Sequence, residues 1–146
     1  MNIKSYIPNI ISLISLFLGF LSILNSFIDN YLLACYFILF AAILDSLDGA
    51  VARALGVSSD FGKELDSLVD LISFCLAPSI LVYILYSQEM PGISGEIIAF
   101  APLLLGVIRL AQFNVSDNDG LSYFKGLPTT FNAIFICSLI MYVEDI

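Results

Sequence analysis

Residues 31–86 read YLLACYFILFAAILDSLDGAVARALGVSSDFGKELDSLVDLISFCLAPSILVYILY. Two apolar runs, 31–55 and 60–86, lie either side of a short polar joint, Gly56 to Ser59. A spanning helix needs about 20 mostly apolar residues, and each run exceeds that. The remaining sequence has the same character. Of the 146 residues, 60% are hydrophobic and 12% charged, and the mean hydropathy is +0.99. A soluble domain carries about 25% charge, and this chain has too few polar side chains to cover a globule in water. Aliphatic and aromatic residues dominate throughout, which excludes a disordered chain. The expected fold is all-α, a polytopic membrane helix bundle forming a single domain over residues 1–146.

Working outward, further spans are expected at 7–27, 96–114 and 129–143, five in all. The first is too long for a signal-peptide core, and no small-x-small cleavage site follows it. Turn chemistry separates the spans at Asp29-Asn30, Met90 to Gly95 and Ser116 to Pro128. All five basic residues (Lys4, Arg53, Lys63, Arg109, Lys125) fall in the N-terminal tail or beside the second-to-third and fourth-to-fifth connections. Basic residues collect on the cytoplasmic side, so the N-terminus and both of those connections are expected inside the cell. Cys35, Cys75 and Cys137 sit singly in apolar runs and read as small buried hydrophobes, without a disulfide framework.

The net charge of -8 is uneven: six of 13 acids (Asp45, Asp48, Asp60, Glu64, Asp66, Asp70) lie between residues 45 and 70. This balance argues against nucleic acid as a partner, and the absence of histidine excludes His-based chemistry. Asp45 and Asp48 are three apart and Asp66 and Asp70 four apart, so each pair shares one helix face. Small residues on those faces (Gly49, Ala52, Gly62, Ser67) are expected to let the two helices approach closely. Asp60, just before an apolar run, reads as an N-cap, and Glu64 as a solvated acid. The other four acids are embedded at spanning density, where ionisable groups are functional by default. Converging carboxylates must each take up a proton or find a cation. Mg2+ or Mn2+, hard ions with oxygen ligands, answer that need. Such ions also suit a diphosphate, and Arg53 adds a planar cation for a phosphate oxygen.

These residues resemble a specific signature. Asp45-x-x-Asp48-Gly49-x-x-Ala52-Arg53, eight residues, then Gly62-x-x-x-Asp66-x-x-x-Asp70 is similar to that of the CDP-alcohol phosphatidyltransferases. The stretches SSDFGKELDSLVDLISFCLAPS, RLAQFNV (109–115) and YFKGLPTT (123–130), with Pro8-Asn9, resemble the phosphatidylserine and archaetidylserine synthase branch. The resemblance implies six membrane helices, so the last is expected to be missing here, and a homodimer with its site open to the cytoplasm. It implies transfer of a phosphatidyl-type group from a CDP-linked lipid to the hydroxyl of L-serine, releasing CMP. By the same resemblance Asp45, Asp48, Asp66 and Asp70 hold two divalent ions. Gly49, Ala52, Arg53, Gly62 and Asp66 line the CDP moiety, and Asp70 is the general base. Where the branch commonly carries arginine, this chain has Gln112, which weakens an acceptor role at that position.

Arg109 near the cytoplasmic end of the fourth span is the candidate for the serine carboxylate, a planar bidentate match. Snorkelling to the headgroups is the simpler alternative. Asn114 and Lys125 are weaker candidates for the same end. Two other functions compete. One is the same chemistry with glycerol phosphate, inositol phosphate or choline, and a phosphorylated acceptor would call for more basic residues. The other is a divalent-cation transporter subunit, against which Arg53 would repel the permeant ion.

Overall fold

The computed structural model describes residues 6–57, 59–119 and 128–144, and within them every element is helical. The helices are α1 (Tyr6–Phe27), α2 (Tyr31–Leu55), α3 (Asp60–Ser87), α4 (Ser94–Asp119) and α5 (Thr129–Glu144). The chain is an all-α membrane helix bundle. Helices α1 to α4 contain stretches long and apolar enough to cross a membrane. The fifth expected span is a helix of 16 residues, which at 1.5 Å per residue measures about 24 Å against about 30 Å of hydrocarbon. Helix α4 continues past the expected end at 114 to Asp119. The polar residues 116–119 end the hydropathy signal, but no glycine or proline interrupts the backbone until Gly120. Lys4 and Lys125, two of the basic residues used to orient the chain, lie outside the described residues, as does Tyr123.

The joint between α2 and α3 is built from local chemistry. Gly56 adopts φ 62°, and its N–H donates to Arg53 O at 3.2 Å while that of Val57 donates to Ala52 O at 3.1 Å. This is a Schellman ending, which glycine permits without strain. It leaves Arg53 in the last turn of α2, where a cation suits the helix dipole. The N-cap of α3 is Ser59, not Asp60 as expected. Ser59 is extended (φ -134°, ψ 146°) and its Oγ accepts from Gly62 N at 3.0 Å. Asp60 is already helical and serves instead as an acid in the first turn.

Helix α1 buries Ser12, Ser15, Gly19, Ser22 and Ser26, spaced alternately three and four apart along one face. These small side chains let α1 lie along the length of α2, which itself buries Ala34, Cys35, Ile38, Ala41 and Ala42. Ser15 Oγ donates to Ala41 O at 3.0 Å, and Ser73 Oγ of α3 to Ser15 O at 3.3 Å. A Cβ on Gly19 would stand 2.9 Å from Ser73 Cα, so this crossing requires glycine. The opposite face of α1 carries exposed Ile10, Phe17, Phe20 and Leu24, a surface suited to lipid. All three cysteines are buried, and Cys35 of α2 adjoins Cys137 of α5.

Helix α3 changes winding along its length, with π turns at Leu71–Leu76 and Tyr83–Ser87. Pro78 accounts for the first. It has no N–H for the Phe74 carbonyl and its ring crowds that oxygen, so the preceding turns widen. The expected close approach of α2 to α3 is not found. Along Asp60–Asp70 the α3 backbone packs on α1 instead, and α2 and α3 meet directly only further on, over Leu71–Val82.

Candidate functional site

Asp45 and Asp48 leave α2 one turn apart, and Asp66 leaves α3. One carboxylate oxygen from each lies within 4.8 Å of the others. Asp48 is buried, and its Oδ2 accepts from Ser12 Oγ of α1 at 2.7 Å. Ser12 opens the small-residue face of α1, so that helix also supplies a hydrogen bond to the acidic cluster. Sequence reasoning missed Ser12; the available signal was its place in that three-and-four spacing. Three carboxylates so close, at a membrane boundary, repel and have lost hydration. Their donor set, oxygen only and anionic, fits a hard divalent cation.

Asp70, one turn beyond Asp66 on α3, stands beside Asp45 and outside the three-oxygen cluster. Its Oδ2 accepts from Thr129 Oγ1 at 3.4 Å, while its Oδ1 is buried with no hydrogen-bond partner among the described residues. Asp45 Oδ2 accepts from the neighbouring Thr130 Oγ1, also at 3.4 Å. Both threonines belong to the first turn of α5.

A cavity of about 150 Å³ opens beside the cluster and brings together Asp48, Gly49, Ala52, Gly62 and Asp66. Pro8, Asn9, Ser12, Ser59 and Lys63 complete its wall. Gly49 therefore faces open space, whereas Gly62 lies against Asn9 of α1. A Cβ on Gly49 would meet only Arg53 Nη1, at 3.5 Å, so Arg53 lies over this edge. A Cβ on Gly62 would crowd Ser59 Oγ at 3.0 Å and Asn9 Oδ1 at 3.1 Å. Arg53 is exposed at the end of α2.

A second cavity, about 430 Å³, lies between α4 and α5, with Arg109, Thr129 and Asn132 among apolar walls of Leu105, Phe131 and Phe135. Gly106 lets α4 seat on Cys75 of α3, since a Cβ there would stand 3.0 Å from Cys75 Cβ. Arg109 follows one turn later. Thr129 lines this cavity and also donates to Asp70, which is not itself part of the wall. Arg109 and Asn114 do not share a face. Asn114 turns to α3, where its Oδ1 accepts from Ser67 Oγ at 3.1 Å. Five residues of helix place their side chains about 140° apart. Gln112 is exposed, and Lys125 lies outside the described residues.

The family model of the CDP-alcohol phosphatidyltransferases matches residues 5–145. The chain is 38% identical over 130 residues to a CDP-diacylglycerol–serine O-phosphatidyltransferase of Helicobacter pylori, covering 88% of this chain and 54% of that protein. It is 39% identical over 136 residues to the archaetidylserine synthase of Methanothermobacter thermautotrophicus, covering 90% and 56%. With a CDP-diacylglycerol–serine O-phosphatidyltransferase of Bacillus subtilis it shares 37% over 127 residues, covering 87% and 71%. The chain thus spans about half the length of the first two of these relatives.

Proposed function

Because the chain belongs to the CDP-alcohol phosphatidyltransferase family, we propose that it transfers a phosphatidyl or archaetidyl group from a CDP-linked lipid to L-serine. The observation that carries this reading is the gathering of three carboxylate oxygens within 4.8 Å at the mouth of a cavity edged by Gly49, Ala52 and Gly62. Relatives whose names specify serine as acceptor support the choice of alcohol.

Asp45, Asp48, Asp66 and Asp70 are the residues that would hold Mg2+ or Mn2+. A bound divalent ion supplies neutralisation of the charge on the diphosphate. Gly49, Ala52 and Gly62 leave room for the CDP moiety, and Arg53 presents its planar cation to a phosphate oxygen. Asp70 accepts the proton of the serine hydroxyl. That oxygen forms the new bond to the lipid phosphorus as the bond from phosphorus to CMP breaks. Arg109, in the cavity whose wall includes Thr129, takes the serine carboxylate. Asn114, engaged by Ser67 on another face of α4, is the weaker candidate for the acceptor end. The distribution of basic residues supports a site open to the cytoplasm, and the family resemblance supports a homodimer.

The test supplies the purified chain with CDP-diacylglycerol or CDP-archaeol, Mn2+ and radiolabelled serine. Label entering the lipid phase with one of these donors, together with release of CMP, is the expected result. Incorporation of glycerol phosphate or inositol phosphate in place of serine would overturn the acceptor assignment.

A further inference from the structure

We propose that Thr129 and Thr130 are positioning residues, Thr129 aiming Asp70 and Thr130 aiming Asp45. Successive helical residues project about 100° apart. The first turn of α5 uses that divergence to reach two helices at once, Asp70 on α3 and Asp45 on α2. Pro128 precedes the pair, and its carbonyl accepts from Phe131 N at 3.0 Å, which starts the helix and sets the threonine backbone. Thr129 is only 5% exposed, and its hydroxyl lies between the Arg109 cavity and Asp70.

A hydroxyl carries one proton and therefore engages one carboxylate oxygen. Thr129 takes Asp70 Oδ2 and leaves Oδ1, the buried oxygen without a hydrogen-bond partner among the described residues, unengaged. Thr130 likewise takes Oδ2 of Asp45, whose carboxylate belongs to the three-oxygen cluster. The two contacts are long, so they orient the carboxylates without locking them. Neither threonine touches the CDP cavity; each acts through its aspartate.

The inference rests on the proposed function, and its test separates the two. The variants are Thr129→Val, Thr130→Val and the two serine counterparts, each checked for helicity and a single elution peak in detergent. Thr129→Val is expected to lower kcat about 10–100-fold, the usual effect of removing a partner of a site ligand, with the KM for CDP-lipid changed less than about twofold. Thr130→Val is expected to raise the Mn2+ concentration for half-maximal rate by a similar factor of about 10–100. Serine at either position restores most of the loss, because it keeps the hydroxyl and drops only a methyl group. Wild-type kcat in Thr129→Val, or serine variants as impaired as the valine ones, overturns the inference. If the wild-type chain transfers no serine, the function reading fails instead. The threonine assignment is then decided by Mn2+ binding to the purified protein, which Thr130→Val must weaken and Thr130→Ser must preserve.

Discussion

At the scale of single residues, the candidate site depends on oxygen atoms held in place by hydroxyls from other helices. Ser12 is the clearest case, since its 2.7 Å bond reaches a buried carboxylate of α2 from α1. Ser12→Ala should weaken Mn2+ binding about 10–100-fold while leaving the fold intact, as loss of a ligand's orienting partner does elsewhere. Calorimetric titration of purified protein checks this, and unchanged affinity would show the bond to be structural only. Arg109 makes a different prediction because it lines the cavity away from the glycines. Arg109→Lys keeps the charge but loses the planar fork, so the KM for serine should rise at least tenfold with that for CDP-lipid nearly constant. Equal changes in both constants would remove Arg109 from the acceptor end.

Among elements, glycine does two unlike jobs, and the surroundings of an added Cβ tell them apart. Gly19 lies where α1 crosses α3, and a methyl group there would press on the Ser73 backbone. Gly49 lies at the cavity edge, where the nearest atom is 3.5 Å away on a flexible arginine. Gly19→Ala should therefore lower the thermal midpoint in detergent, by a destabilisation of about 1–3 kcal/mol typical of overpacking. Gly49→Ala should leave the midpoint unchanged and impair binding of the CDP-lipid. Reversal of that pattern would mean the cavity is not where the nucleotide lies. Helix α3 adds a second element-scale feature, since its first π turn, forced by Pro78, begins directly after Asp70.

For the molecule as a whole, the charge distribution makes a testable prediction of orientation, with the α2–α3 joint on the cytoplasmic side. The α2–α3 joint lies beside Arg53 and Lys63, and the α3–α4 connection near Glu89 carries no basic residue. With all three native cysteines buried, background labelling by an impermeant maleimide should be low. In intact cells, Glu89→Cys should react and Asp60→Cys should not, and inverted vesicles should give the opposite pattern. Labelling of both positions from one side would overturn the orientation.

Read alone, the sequence determined the helical bundle, four long helices to within a few residues at most ends, and the acidic motif that belongs to the family. Those features are local: hydropathy at spanning length, turn residues, and i,i+3 or i,i+4 spacing all act within one helix. Tertiary structure decided how the helices meet. That α1 packs against both α2 and α3, that Ser12, Thr129 and Thr130 reach the aspartates, and that Asp70 sits beside the three-oxygen cluster depend on contacts between residues 25 to 85 apart in the chain. A hydroxyl reads the same in a sequence whether it meets a carboxylate or its own helix backbone, and only packing selects its partner.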